Sequence, residues 1–159
     1  MASRINIESI RDDKIDTLND LIEITRDNAK FYSEAATKVE NPQLRTLFTR
    51  MADSKQNLVG KLATDVRSEG ATPSTGGTMR GKLQEFYTDV RSHLADNDYS
   101  YVKGLEAAED RLLKAFDNVI QDNNVSSPVK QVVNEYLPTI RQQHDLMRDR
   151  KWEMQQTRN

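Results

Sequence analysis

The chain contains no cysteine. Disulfides, thiolate metal sites and cysteine nucleophiles are thereby excluded together, and nothing suggests an oxidising compartment. No stretch approaches the ~20 apolar residues needed to span a bilayer. The opening MASRINIESIRDD lacks the continuous apolar region of a secretory signal, so the expectation is a cytoplasmic protein, without membrane attachment. Neither sign of charge prevails. There are 25 Asp plus Glu against 23 Lys plus Arg, mixed along the chain, so no basic stripe exists to track phosphates and nucleic acid is not an expected partner. Nucleophile elbows and Gly-rich phosphate loops are missing as well; Gly76-Gly77 alone is a loop feature. No catalytic and no cofactor-binding residue can be assigned from motifs.

With 30% charged and 36% hydrophobic residues, composition alone would also suit a disordered chain. The arrangement of the apolar residues decides otherwise. Ile15, Leu18, Ile22, Thr25, Ala29, Tyr32, Ala36 and Val39 recur at steps of three and four, which draws one seam along a helix over 13–40. Asn41-Pro42 then stops one helix and starts the next, as N-cap and first helical position. A second helix over 42–70 carries the seam Leu44, Phe48, Met51, Lys55, Leu58, Leu62, Val66 and ends at Gly70. GATPSTGGT, residues 70–78, reads as the one real loop. A short amphipathic helix is expected over 79–95, within a connection of residues 71–97.

A third long helix over 98–122 carries Val102, Leu105, Glu109, Leu112, Phe116 and Val119. Ser127-Pro128 opens a fourth over 127–157, with Val129, Val133, Leu137, Ile140, His144, Met147, Lys151 and Met154. Pro138 is expected to bend this helix without ending it. Residues 1–12 read as an ambiguous N-terminal arm that packs on a partner chain or frays.

At 159 residues one core is expected. The four long helices match at about 25–30 residues, or roughly 40 Å. Short turns join the first to the second and the third to the fourth, which makes two antiparallel hairpins. The long connection between them has the length to cross the bundle. The expectation is therefore an all-α, ferritin-like four-helix bundle with a long crossover that carries a short extra helix; an up-down-up-down bundle with an appended helix is the other topology these lengths allow.

Three polar residues fall on apolar seams: Lys55, Glu109 and His144. A charge on a seam is costly unless paired. Glu109 and His144 lie at similar distances from the turn between their helices, and Glu106 stands beside Glu109. One reading is a metal site of Glu106, Glu109 and His144, since inward carboxylates and imidazoles on facing helices build the di-metal sites of bundles. The full site needs a Glu-x-x-His on each of two helices. Here the residue three before His144 is Arg141, the second helix offers Lys55 and Leu58, and Glu23 falls beside the first seam instead of on it. The other reading is a structural polar cluster in which Glu109 pairs with Lys55, Arg141 or His144 and holds the helices in register. Trp152, near the end of the fourth helix, is the residue expected in an oligomer contact.

The segments LNDLIEITRDNAKFYSEAA (18–36), NPQLRTLFTRMADSKQNLVGKL (41–62), EAAEDRLLKAFDNVI (106–120) and IRQQHDLMRD (140–149) resemble small bacterial ferritin-like proteins of the domain-of-unknown-function 2383 type. That resemblance implies the crossover bundle and a distant kinship with rubrerythrin-like di-iron proteins. Only Glu109-Asp110 and His144-Asp145 match what such relatives show; Ala29 and Ser54-Lys55-Gln56 stand where further ligands belong. The reading that follows is a non-enzymatic bundle with a degenerate metal site and no bound cofactor. It is expected to act as a homo-oligomer, a dimer foremost, or through a protein partner, with stress physiology as the setting the analogy offers. The alternative is an iron- or manganese-binding oxidase or peroxidase with an incomplete ligand set.

Overall fold

The computed structural model describes residues 2–75 and 97–158. They form four helices: α1 (Ala2–Lys38), α2 (Pro42–Ser68), α3 (Asp98–Gln121) and α4 (Ser127–Arg158). Residues expected as an arm are helical and continuous with α1. Neither glycine nor proline occurs before Pro42, so nothing in the sequence interrupts that helix. The short helix expected over 79–95 lies outside the described residues.

Local chemistry explains the boundaries. Asn41 caps α2, its side-chain oxygen accepting from the backbone N–H of Gln43 and Leu44, with Pro42 at the first helical position. Asn97 caps α3 by accepting from Ser100 N–H. Gly70, at φ 78°, takes the left-handed turn that ends α2; its N–H donates to Arg67 O and that of Ala71 to Val66 O. Pro138 is inside α4, and the helix runs on through it. Pro138 is exposed, as is Asn134, whose carbonyl loses its helical donor, so water can satisfy that group.

Contacts at the two ends fix the helix directions. The end of α1 meets the start of α3, where Asp98 accepts from Glu40 N–H at 2.8 Å and Asn41 N–H at 2.9 Å. At the opposite end, Asp13, Asp16 and Asp20 of α1 line a shared hollow with Asp122 and Ser126 of the α3–α4 turn and Val129 of α4. Hence α1 is antiparallel to α2 and to α3, while α2 and α3 run parallel. The connection after α2 has to return the chain to the end where α2 began, as the one-crossover bundles require. Its first residues do so along α1: Ser74 N–H donates to Asn19 Oδ1 at 2.7 Å, and its hydroxyl contacts Glu23.

One apolar cluster joins all four helices. Leu18, Ile22, Tyr32, Phe48, Leu62, Leu105, Phe116, Val133, Ile140 and Met147 are all buried in it. Residues 21–25 of α1 are buried in succession, wider than the seam expected from the sequence, because α1 packs on α2, α3 and α4 and also lies under Ser74. Glu23 is consequently buried, at 6% exposure, with Ser74 and Arg26 as partners. Its expected place beside the seam is corrected by that covering segment. No helix among the described residues is long and apolar enough to cross a membrane.

Candidate functional site

Lys55 lies 13 residues into α2 and Glu109 11 residues into α3. The two helices are parallel, so these positions sit at roughly 20 and 17 Å from the same end and face each other. Both side chains are fully buried. Lys55 Nζ lies 2.9 Å from Glu109 Oε1 and 3.1 Å from Oε2. Tyr32 of α1 donates its hydroxyl to Glu109 Oε1 at 2.7 Å. From α4, Gln143 accepts from Lys55 through its side-chain oxygen and donates through its amide to Ser54 Oγ at 2.6 Å. One network, buried at Tyr32, Lys55 and Glu109 and half-buried at Ser54 and Gln143, thus takes a side chain from every helix. Asn28, one turn from Tyr32, adds a bond from its amide to Ala108 O at 3.1 Å, and Thr25 closes its hydroxyl onto Leu21 O.

Burial pushes the Lys55 ammonium below the usual lysine range, while the charge and hydrogen bond of Glu109 pull it back up. At 2.9 Å the attraction is worth roughly 6 kcal/mol at an effective dielectric of about 20. Removing two ions from water costs several kcal/mol each. The pair therefore comes close to cancelling, and its larger consequence is that neither ion can be left alone. It fixes which residues of α2 and α3 stand opposite each other.

A di-metal centre does not fit here. Among the described residues the centre offers one carboxylate, and the space beside it holds an ammonium, a phenol and an amide; a metal ion would have to displace Lys55. The arrangement can hold helices in register but has no set of anionic donors.

A second cluster lies at the α3–α4 edge. His144 is mostly buried, with its side chain 13% exposed; its Nε2 is 2.7 Å from Asp110 Oδ1 and its Nδ1 3.1 Å from Asp145 Oδ1. Burial disfavours the charged imidazole, but hydrogen bonds and charges from Asp145 and Asp110 outweigh it and raise the His144 pKa above its ordinary value. Glu106, one helical turn before Asp110, pairs with Lys151 at 3.3 Å. One donor atom each from Glu106, Asp110 and His144 lie within 4.8 Å of one another.

A family model described as Domain of unknown function (DUF2383) matches residues 13–122. The chain belongs to that family. No curated protein and no solved structure matches it. The DUF2383 match takes in most of α1, all of α2 and α3, and the connection between them, and it stops at the α3–α4 turn. Lys55, Glu109 and Tyr32 of the central network fall within the DUF2383 region; Gln143 and His144, both on α4, lie beyond it.

The structure separates the residues that the sequence grouped. Glu109 turns to Lys55 and Tyr32, whereas His144 turns to Asp110 and Asp145. Of the candidate metal trio, Glu106 and His144 come together, and Asp110 takes the place expected for Glu109. The expected pairing of Glu109 with Lys55 is found. Arg141 instead reaches Asp117, at 3.0 Å on the surface. Tyr32 and Gln143 were missed as members of the network. Tyr32 had a usable signal, because a buried tyrosine hydroxyl needs a partner; Gln143, off the apolar seam, had none.

Proposed function

We propose that this DUF2383 chain is a non-enzymatic bundle of the ferritin-like kind, in which a lysine–glutamate pair stands where a metal centre would otherwise be, and which acts through its outer surface. The observation that carries this reading is the fully buried Lys55 ammonium held against both oxygens of Glu109. Such a pair serves register and leaves no open coordination position.

The surface in question is the outward side of α4. Trp152 and Leu146 are its large exposed apolar residues, at 59% and 39% exposure. A homo-oligomer, a dimer in the simplest case, covers them, in a cytoplasmic setting. Sedimentation of the wild type and of a Leu146→Asp/Trp152→Asp variant tests this: a dimer that the variant dissociates is expected, and a wild type that stays monomeric at high concentration overturns it. Turnover with ferrous iron or peroxide that is lost in Glu109→Ala overturns the non-enzymatic part. A manganese- or iron-dependent oxidase is the second reading, favoured by the closeness of Glu106 to His144; metal-dependent turnover that is lost in His144→Ala supports it.

A further inference from the structure

The edge cluster combines one imidazole with two carboxylates from two helices, and its purpose is not explained by packing. Glu106 and Asp110 are four residues apart on α3 and so project side by side, while His144 meets them from α4. Asp110 is half exposed, which leaves a path for an ion to enter. Asp145 stands behind the ring, its carboxylate on Nδ1 at 3.1 Å. A carboxylate on one ring nitrogen fixes the orientation and tautomer of a histidine whose other nitrogen serves as ligand. Asp145 is itself tied by Arg148 at 3.2 Å.

We propose that Glu106, Asp110 and His144 bind one divalent transition-metal ion of the Zn2+ type at the α3–α4 surface. Tetrahedral zinc holds ligands at about 2.1 Å, hence about 3.4 Å from each other. The three donor atoms already lie within 4.8 Å, so side-chain rotations of about an ångström close the set. Water completes the coordination, as in zinc sites with three protein ligands. The mixed nitrogen and oxygen donors select a transition ion over Mg2+ or Ca2+, which prefer oxygen alone. Lys151 holds Glu106 in the absence of an ion and has to let go when one arrives. The site is separate from the buried Lys55–Glu109 pair and does not depend on how that pair is read.

Calorimetric titration of Zn2+ into tag-free, chelator-treated full-length protein tests the proposal, followed in parallel by ring resonances of the two histidines, His93 and His144. The expected result is one saturable ion per chain, with shifts of the His144 ring. Asp110→Asn and His144→Ala are expected to weaken binding at least tenfold, and Asp145→Asn roughly tenfold or more. Lys151→Gln, which removes a competitor and no ligand, is expected to tighten it. Lys55→Met/Glu109→Met, which strips the charges from the bundle centre, is expected to leave affinity within about twofold. Circular dichroism of each variant reports folding. Absence of saturable binding, unchanged affinity in His144→Ala, or loss of binding in the core double variant overturns the assignment.

Discussion

Replacing either member of the buried pair strands the other. Among the described residues, Lys55→Met leaves the Glu109 carboxylate with the Tyr32 hydroxyl, and Glu109→Met leaves the ammonium with Gln143. Removing one partner of a buried pair typically costs about 3–5 kcal/mol. In a domain of this size 1 kcal/mol moves the melting temperature by about 2–4 °C, so each single variant is expected to melt roughly 6–20 °C lower. The double variant Lys55→Met/Glu109→Met behaves differently, because both desolvation costs vanish with the attraction. Apolar replacements of whole buried pairs are often neutral or stabilising by about 1–4 kcal/mol. Against that stands the loss of the hydrogen bond from Tyr32 to Glu109, at about 1 kcal/mol. The double variant should therefore lie within about 3 kcal/mol of wild type, far from the sum of the single changes. Urea unfolding followed by helical circular dichroism at a fixed chain concentration measures all three, provided the slope with denaturant is unchanged. Single variants within about 0.5 kcal/mol of wild type, or a double variant as unstable as the two singles added, would refute the reasoning.

Two further outcomes follow from contacts outside that pair. Tyr136 donates to Asp65 Oδ2 at 2.7 Å across α4 and α2, and burial with the Asp65 carboxylate raises its pKa well above the ordinary tyrosine value. The folded-state pKa is above the unfolded one, so the stabilisation is complete below about pH 10 and is lost as pH climbs toward the folded value. Tyr136→Phe should cost about 1 kcal/mol at neutral pH in denaturant melts, with the difference shrinking above about pH 10; a difference that grows there contradicts the assignment. Asp98 ties the α1–α2 turn to the start of α3 through two backbone N–H groups. Asp98→Ala should lower stability by about 1–2 kcal/mol and speed hydrogen exchange at Glu40 and Asn41, while protection unchanged at those amides would show the tie to be unimportant.

Much of this arrangement was legible because helices advertise their buried side. The seams and the Asn41-Pro42 and Ser127-Pro128 starts are local properties, and all four long helices follow them, although their lengths of 37, 27, 24 and 32 residues are less matched than expected. Lys55 and Glu109 were also legible as charges in need of partners, since each interrupts an otherwise apolar seam, with Lys55 one of three partners open to Glu109. The helical start of α1 was less so. Ile5, Ile7 and Ile10 fit both alternating and helical spacing, and propensity alone had to decide.

What the sequence by itself determined is which residues share a helix face and roughly how high each stands along the bundle. Only the tertiary structure decided to whom they turn. Successive residues of a helix point about 100° apart, so Glu109 and Asp110 serve different neighbours although one peptide bond joins them. Burial of Leu137, Ile140 and Met147 sets the rotation of α4, and that rotation carries His144 away from the centre to Asp110 while bringing Gln143 to Lys55. A seam read from spacing cannot resolve a rotation of that size, because it is fixed by how the side chains of three other helices fill the shared core.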